Sequence, residues 1–286
     1  MQRTIAREIE CSGIGVHSGK IVNMKFCPAE ADSGIIFLRT DLFNGARKIK
    51  ALWSNVVDTR MCTVIGNQHG GKVSTVEHLM AAVYACGIDN MLIEINAEEV
   101  PIMDGSADCF VEIIESAGTV EQAAKRKVLE ILSEVEISDE KNGKKARLLP
   151  EDGASYYVGI EFDRSVIGNQ AYELELTAAE FKKEVSRART FGFLEDVENL
   201  KKHGLARGGS LENAIIIKEN EIMNESGLRY NNEFARHKLL DAIGDIALIG
   251  ARFKGRFEGH CTGHELNNTL LRAMFEQKDS WRIVEE

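Results

Sequence analysis

The chain has 286 residues, enough for one large core or two smaller ones. Its 44% hydrophobic and 28% charged residues are those of an ordinary globular protein, and a formal net charge of −10 argues against a protein held mainly by nucleic acid or anionic lipid, both of which need a basic surface. Six scattered cysteines with no C-x-x-C pair argue against a zinc knot or a small disulfide scaffold. The first residues lack the apolar run of a signal peptide, and no stretch approaches the roughly 20 apolar residues of a membrane span. A cytoplasmic protein with reduced thiols is expected.

In chain order, the first landmark is Gly13-Ile14-Gly15-Val16-His17-Ser18-Gly19, a hairpin in which His17 reads as a turn residue. A helix is expected from about Ser74 to Cys86, stopped by Gly87, with Ser74 and Glu77 placed as a capping box. The alternating strand Met91–Ile95 follows, then a loop with Asp104-Gly105-Ser106, then a helix through Phe110 and Ile114. A polar run over residues 121–127 marks a boundary and gives domains 1–124 and 125–286. Beyond it lie an alternating strand, Val128 to Ile137, and a hairpin turn at Glu140-Lys141-Asn142-Gly143. A second long helix is expected from Glu233 to Ile249, stopped by Gly250. A strand-like segment from Ala251 to Phe257 comes next, then a loop with Gly263-His264 and a helix through Leu270 and Met274. The two halves thus share an order of elements. The expected fold is α+β, two similar domains, each a β-sheet layered with helices, with the active site at the domain interface.

Three segments carry the chemistry. On the Glu233–Ile249 helix, His237 and Asp241 stand at i and i+4, one turn apart on one face. An imidazole and a carboxylate so placed can share a zinc ion, or form an ordinary exposed helix pair. Asp245, a further turn along, can orient a neighbouring histidine. Glu77 and His78 can serve as a carboxylate that takes a proton from an attacking water and a third metal ligand, or Glu77 can merely cap its helix. His264, beside Gly263, fits a ligand, a general acid or a helix start, and the residues alone leave that choice open.

The segments Gly13–Gly19, Ser74-Thr75-Val76-Glu77-His78-Leu79, Gly87-Ile88-Asp89-Asn90, Pro101-Ile102-Met103-Asp104-Gly105-Ser106, Ser186-Arg187-Ala188-Arg189-Thr190-Phe191-Gly192-Phe193, Arg236–Asp245 and Gly263-His264-Glu265-Leu266-Asn267-Asn268 together resemble, in order and over nearly the whole chain, the UDP-3-O-acyl-N-acetylglucosamine deacetylases, known as LpxC. The resemblance implies zinc-dependent hydrolysis of the acetamide of an acylated UDP-N-acetylglucosamine, the committed step of lipid A biosynthesis. It implies one zinc per chain, with iron(II) as the alternative ion, held by His78, His237 and Asp241. Glu77 resembles the general base and His264 the general acid, with Asp245 as its orienting partner and Thr190 and Lys238 at the reacting centre. Phe191, Phe193, Val197, Ala206, Ser210 and Ile216 match the lining of an acyl-chain passage, and Phe162 resembles the residue that meets the uridine. The expected partner is that substrate alone, with no nucleic acid, no transmembrane segment and a monomeric chain. One position departs from the pattern: Cys261 stands where a basic residue is common, so the grip on the diphosphate would pass to Arg256 or Lys254. A hydrolase of another N-acyl substrate and a non-catalytic nucleotide-sugar binder are the competing readings. The water-activating set weighs against the latter.

Overall fold

The structure is a computed structural model and describes residues 1–163 and 166–286. It is α+β, and its two principal sheets repeat one plan. The first runs in the order Ile9–Ile14, Ile21–Pro28, Met91–Ile95, Ile35–Arg39, Lys48–Lys50. A hairpin opens it, the central strand Met91–Ile95 pairs antiparallel with that hairpin and parallel with Ile35–Arg39, and an antiparallel edge closes it. The second sheet contains Val135–Asp139, Lys144–Leu149, Arg252–His260, Ala154–Glu161 and Asn169–Glu175 in the same sense, again with one parallel pair at the centre. Two further strands, Lys127–Ile131 and Trp281–Glu285, extend it beside the start of Arg252–His260.

Helices bracket each central strand. α1 (Glu77–Ala85) precedes Met91–Ile95 and α2 (Asp108–Ala117) follows it. Two short helices, α3 (Ala178–Glu184) and α4 (Leu194–Lys202), lie between the halves of the second unit. α5 (Glu233–Ile246) then precedes Arg252–His260, and α6 (His264–Glu276) follows it. The strands owe their place to alternation: Met91, Ile93 and Ile95 are buried, and Phe253, Gly255, Phe257 and Gly259 fill the buried face of Arg252–His260.

Every residue of α1 is buried, as an apolar helix without a polar face requires. Its partner is α5, and the approach is close because of Gly244. A Cβ there would stand 2.0 Å from the carbonyl oxygen of Glu77. The helices that bring Glu77, His78, His237 and Asp241 therefore meet at a point only a glycine allows.

Three sequence expectations need correction. The capping box does not form. α1 starts at Glu77 with Val76 as its N-cap, Ser74 bonds the Glu98 carbonyl instead, and Thr75 takes a left-handed φ of 57°. The strand read from Val128 to Ile137 is two strands, Lys127–Ile131 and Val135–Asp139, which pair with different neighbours. The second long helix ends at Ile246 and tightens to a 3-10 turn over Ala247–Ile249 before Gly250. A third, small sheet joins Phe191–Phe193 to the parallel strand Ile215–Lys218 and the antiparallel Glu221–Ile222, with α4 as the crossover. No helix among the described residues is long and apolar enough to cross a membrane.

Candidate active site

α1 and α5 bring three donor atoms to one point. Nε2 of His78 and Nε2 of His237 each lie 3.5 Å from Oδ1 of Asp241. All three side chains are buried. Two ligands bonded to one tetrahedral ion at about 2.0 Å stand about 3.3 Å apart, so the spacing suits a small divalent cation. The far nitrogen of His237, Nδ1, donates to the Ala188 carbonyl at 3.0 Å, which turns its Nε2 lone pair inward. Burial, only partly offset by the charge of Asp241, holds the His237 imidazole down to about 4, in the neutral form a ligand needs. The donor set fits a zinc-like ion.

Lys238, one residue along α5, donates from Nζ to Oδ2 of Asp241 at 2.8 Å. Burial opposes the ammonium, but Asp241 outweighs it and raises the Lys238 pKa. Desolvation also opposes the Asp241 charge, and Lys238 and His237 hold the carboxyl far below its usual range.

A second group faces this triangle. Glu77 directs Oε1 toward Nε2 of His264, 3.9 Å away, and its Oε2 accepts the backbone N–H of Thr63 at 3.0 Å. His264 donates from Nδ1 to Oδ2 of Asp245 at 2.9 Å. Asp245 also accepts the Thr63 hydroxyl at 2.6 Å and the Asn267 amide at 2.9 Å. Burial raises the Glu77 carboxyl, partly countered by His264. Burial opposes the His264 charge as well, but Asp245 and Glu77 together push the imidazolium up to about 9. A carboxylate able to accept a proton thus faces an imidazolium able to donate one. Cys62 lies in the same loop as Thr63. Burial and the Glu77 charge push its thiol up to about 12, so it stays protonated and is no nucleophile.

Thr190 is held in place by backbone pairing. Its N–H donates to the Gly105 carbonyl at 2.8 Å, and its carbonyl accepts Ile215 N–H at 2.8 Å. Gly105, at φ 86°, packs so closely that a Cβ would stand 2.1 Å from the Asn213 carbonyl oxygen. The Asp104-Gly105-Ser106 loop thereby clamps the first half onto the small third sheet. From that sheet Phe191 stacks edge-on against His237, with ring centroids 6.2 Å apart, and against Phe162 at 5.9 Å. Phe162 also meets Phe193 at 6.1 Å. Val197 lies on α4 over Gly192, Ile216 is buried beside Gly192, and Ala206 and Ser210 stand in the segment between α4 and Ile215–Lys218. Arg256 is bound to Glu258 and Glu173, and Lys254 to Glu130 and Asp152, so both cations proposed for the diphosphate already have carboxylate partners.

Sequence reasoning did not find Thr63 or Asn267. Thr63 sits in an irregular loop with no periodic or capping signal, and only the folded chain brings it to Glu77 and Asp245. Asn267 stands in the Gly263–Asn268 segment, but its role depends on Asp245, 22 residues away.

Known proteins share this sequence over nearly its full length. The deacetylase of Chromohalobacter salexigens named UDP-3-O-acyl-N-acetylglucosamine deacetylase is 47% identical over 285 residues, 99% of this chain and 93% of that one. Proteins of the same name from Nitratiruptor sp. and Hahella chejuensis are 48% and 46% identical, each over 99% of this chain and 93% of theirs. A family profile described as "LpxC: UDP-3-O-acyl N-acetylglycosamine deacetylase" matches residues 2–276. With that match and these relatives, the chain belongs to the LpxC family of UDP-3-O-acyl-N-acetylglucosamine deacetylases.

Proposed function

We propose that this protein hydrolyses the acetamide of UDP-3-O-acyl-N-acetylglucosamine to the free amine and acetate, as the names of its relatives describe, in a metal-dependent step of lipid A biosynthesis in the cytoplasm. The observation that carries the reading is the pairing of Glu77 and His264 across from the His78, His237 and Asp241 donors. A zinc or iron(II) ion held by those three would supply Lewis acidity at the amide carbonyl.

The rest of the chemistry falls to the chain's own groups. Glu77 accepts a proton from the attacking water at Oε1, while Thr63 N–H fixes its other oxygen. Negative charge grows on the former carbonyl oxygen, where the Lys238 ammonium and the Thr190 hydroxyl are suited to meet it. His264 delivers the proton from Nε2 to the leaving nitrogen, and Asp245, bonded to Nδ1, keeps the imidazole protonated beforehand. Phe191, Phe193, Val197, Ala206, Ser210 and Ile216 line the path of the acyl chain, and Phe162 stands toward the uridine end. An apolar chain held there keeps the acetamide over the site, so remote binding supports the reacting centre.

The test is a mass-spectrometric assay of acetate release from acylated UDP-N-acetylglucosamine, with and without a metal chelator. Turnover that the chelator abolishes and zinc or iron(II) restores supports the reading. Full turnover in metal-free protein, or none with metal restored, would sink it.

A further inference from the structure

A second group of donors stands apart from the His78, His237 and Asp241 triangle. Glu161, His260 and Cys261 each offer one ligand atom, and the three atoms lie within 4.8 Å of one another. The group is built on backbone pairing. Ala154–Glu161 and Arg252–His260 are parallel neighbours with Gly159 opposite His260, so both strands end side by side. Cys261 N–H then donates to the Gly159 carbonyl at 2.8 Å, and Cys261 takes a left-handed φ of 48°. That turn sets the Cys261 thiol beside the strand ends. Nε2 of His260 and Oε1 of Glu161 are 3.4 Å apart. This is longer than a good N–H···O bond. It is close to the about 3.3 Å expected for nitrogen and oxygen bound to one tetrahedral ion.

We propose that Glu161, His260 and Cys261 form a second divalent-cation site, distinct from the one on α1 and α5 and selective for borderline-soft ions such as zinc, cobalt and cadmium. The selectivity follows from the donors. Thiolate and imidazole favour these ions over magnesium and calcium, which want oxygen alone. Three protein ligands leave a fourth position open to water or to a ligand atom. Glu161 is exposed and His260 and Cys261 are partly exposed, which gives an ion a way in. Glu161 and His260 by themselves would be an ordinary exposed ion pair, and it is the thiol beside them that makes the set a metal site. An ion bound there would tie the two strand ends together three residues before His264, as a clamp on the segment that carries the catalytic imidazole.

The sulfur makes the site separately visible. The His78, His237 and Asp241 set contains no thiolate, so a thiolate-to-cobalt charge-transfer band in the near ultraviolet can arise only from a cysteine site. Metal-free protein is titrated with Co2+, reading bound metal and absorbance. The expected result is about two equivalents bound, with the near-ultraviolet band growing with one of them. Cys261→Ser should lose the band and one equivalent. His237→Ala should lose one equivalent and keep the band, which separates this site from the active-site reading. Glu161→Gln, a change at an exposed side chain, should weaken the band-forming equivalent more than about tenfold, since even an outer-shell partner costs that much. Zinc beyond the first equivalent should raise Tm in the parent but not in Cys261→Ser. Absence of the band, or a band of unchanged intensity in Cys261→Ser, would overturn the proposal.

Discussion

Replacing Gly244 by Ala tests the geometry of the whole site from a position outside the proposed ligands and the acid–base pair. In an isolated helix the change would favour α5 by about 1 kcal/mol. Here the new methyl would stand 2.0 Å from the Glu77 carbonyl oxygen and 2.7 Å from its carbon. Relief of that clash needs α1 and α5 to part by roughly 1 Å or more. His78 rides on α1 and Asp241 on α5, and their donor atoms are 3.5 Å apart. A further 1 Å makes about 4.5 Å, which two metal–ligand bonds of about 2.0 Å cannot span. The steric term outweighs propensity, because overpacking a full core costs about 1–3 kcal/mol. Gly244→Ala should therefore lower Tm, weaken metal retention and cut turnover by about a hundredfold or more. Metal content by elemental analysis, Tm by calorimetry and acetate release together measure it. A variant that keeps its metal and activity, or melts higher than the parent, would refute the reasoning.

Asp245→Asn should move the alkaline limb of the rate profile to lower pH by about one unit or more, because Asp245 is a main support of the His264 charge against burial. The same group sets a stability window. The His264 pKa is raised above its ordinary 6.5, so its contribution is full below that value and is lost as pH rises through about 9, which melting curves across that range would show. Thr63→Val removes the hydroxyl bond to Asp245 but leaves the N–H to Glu77, and should lower kcat about ten- to a hundredfold with KM little changed in steady-state assays. Ser210→Trp should harm the acylated substrate much more than the unacylated one. Unacylated UDP-N-acetylglucosamine should itself be at least about a hundredfold poorer in kcat/KM, since each methylene buried in a passage contributes about 0.8 kcal/mol.

Where the sequence is periodic, it reads directly into the fold. The strand Met91–Ile95 has the expected bounds, and the helix stops at Gly87 and Gly250 fall at left-handed residues. The i, i+4 spacing of His237 and Asp241 places both on one buried face. What periodicity cannot carry is the choice of neighbour. The run from Val128 to Ile137 alternates acceptably as one strand, but its two ends pair with different partners and it must break between them. Ser74 and Glu77 satisfy the spacing of a capping box, yet the Glu77 carboxylate is drawn to Thr63 and His264 and the helix starts later. Tertiary demand overrides the local preference at the residue proposed as the general base.

The repeated sheet plan has a consequence for how the chain is made. In each half the central strand comes after most of its sheet: Met91–Ile95 must return to Ile35–Arg39, and Arg252–His260 to Ala154–Glu161. Such long closures are slow, because their loop entropy is lost before the pairing rewards it. During synthesis the first half can close as soon as Met91–Ile95 has emerged, with Glu77 and His78 already on α1. The second half stays an open set of hairpins until Arg252–His260 leaves the ribosome. Until residues 233–246 have emerged, α1, buried on every side in the folded protein, lacks α5 and presents apolar surface to its surroundings. Ribosome-bound chains stopped before residue 233 should accordingly be the species most in need of a chaperone.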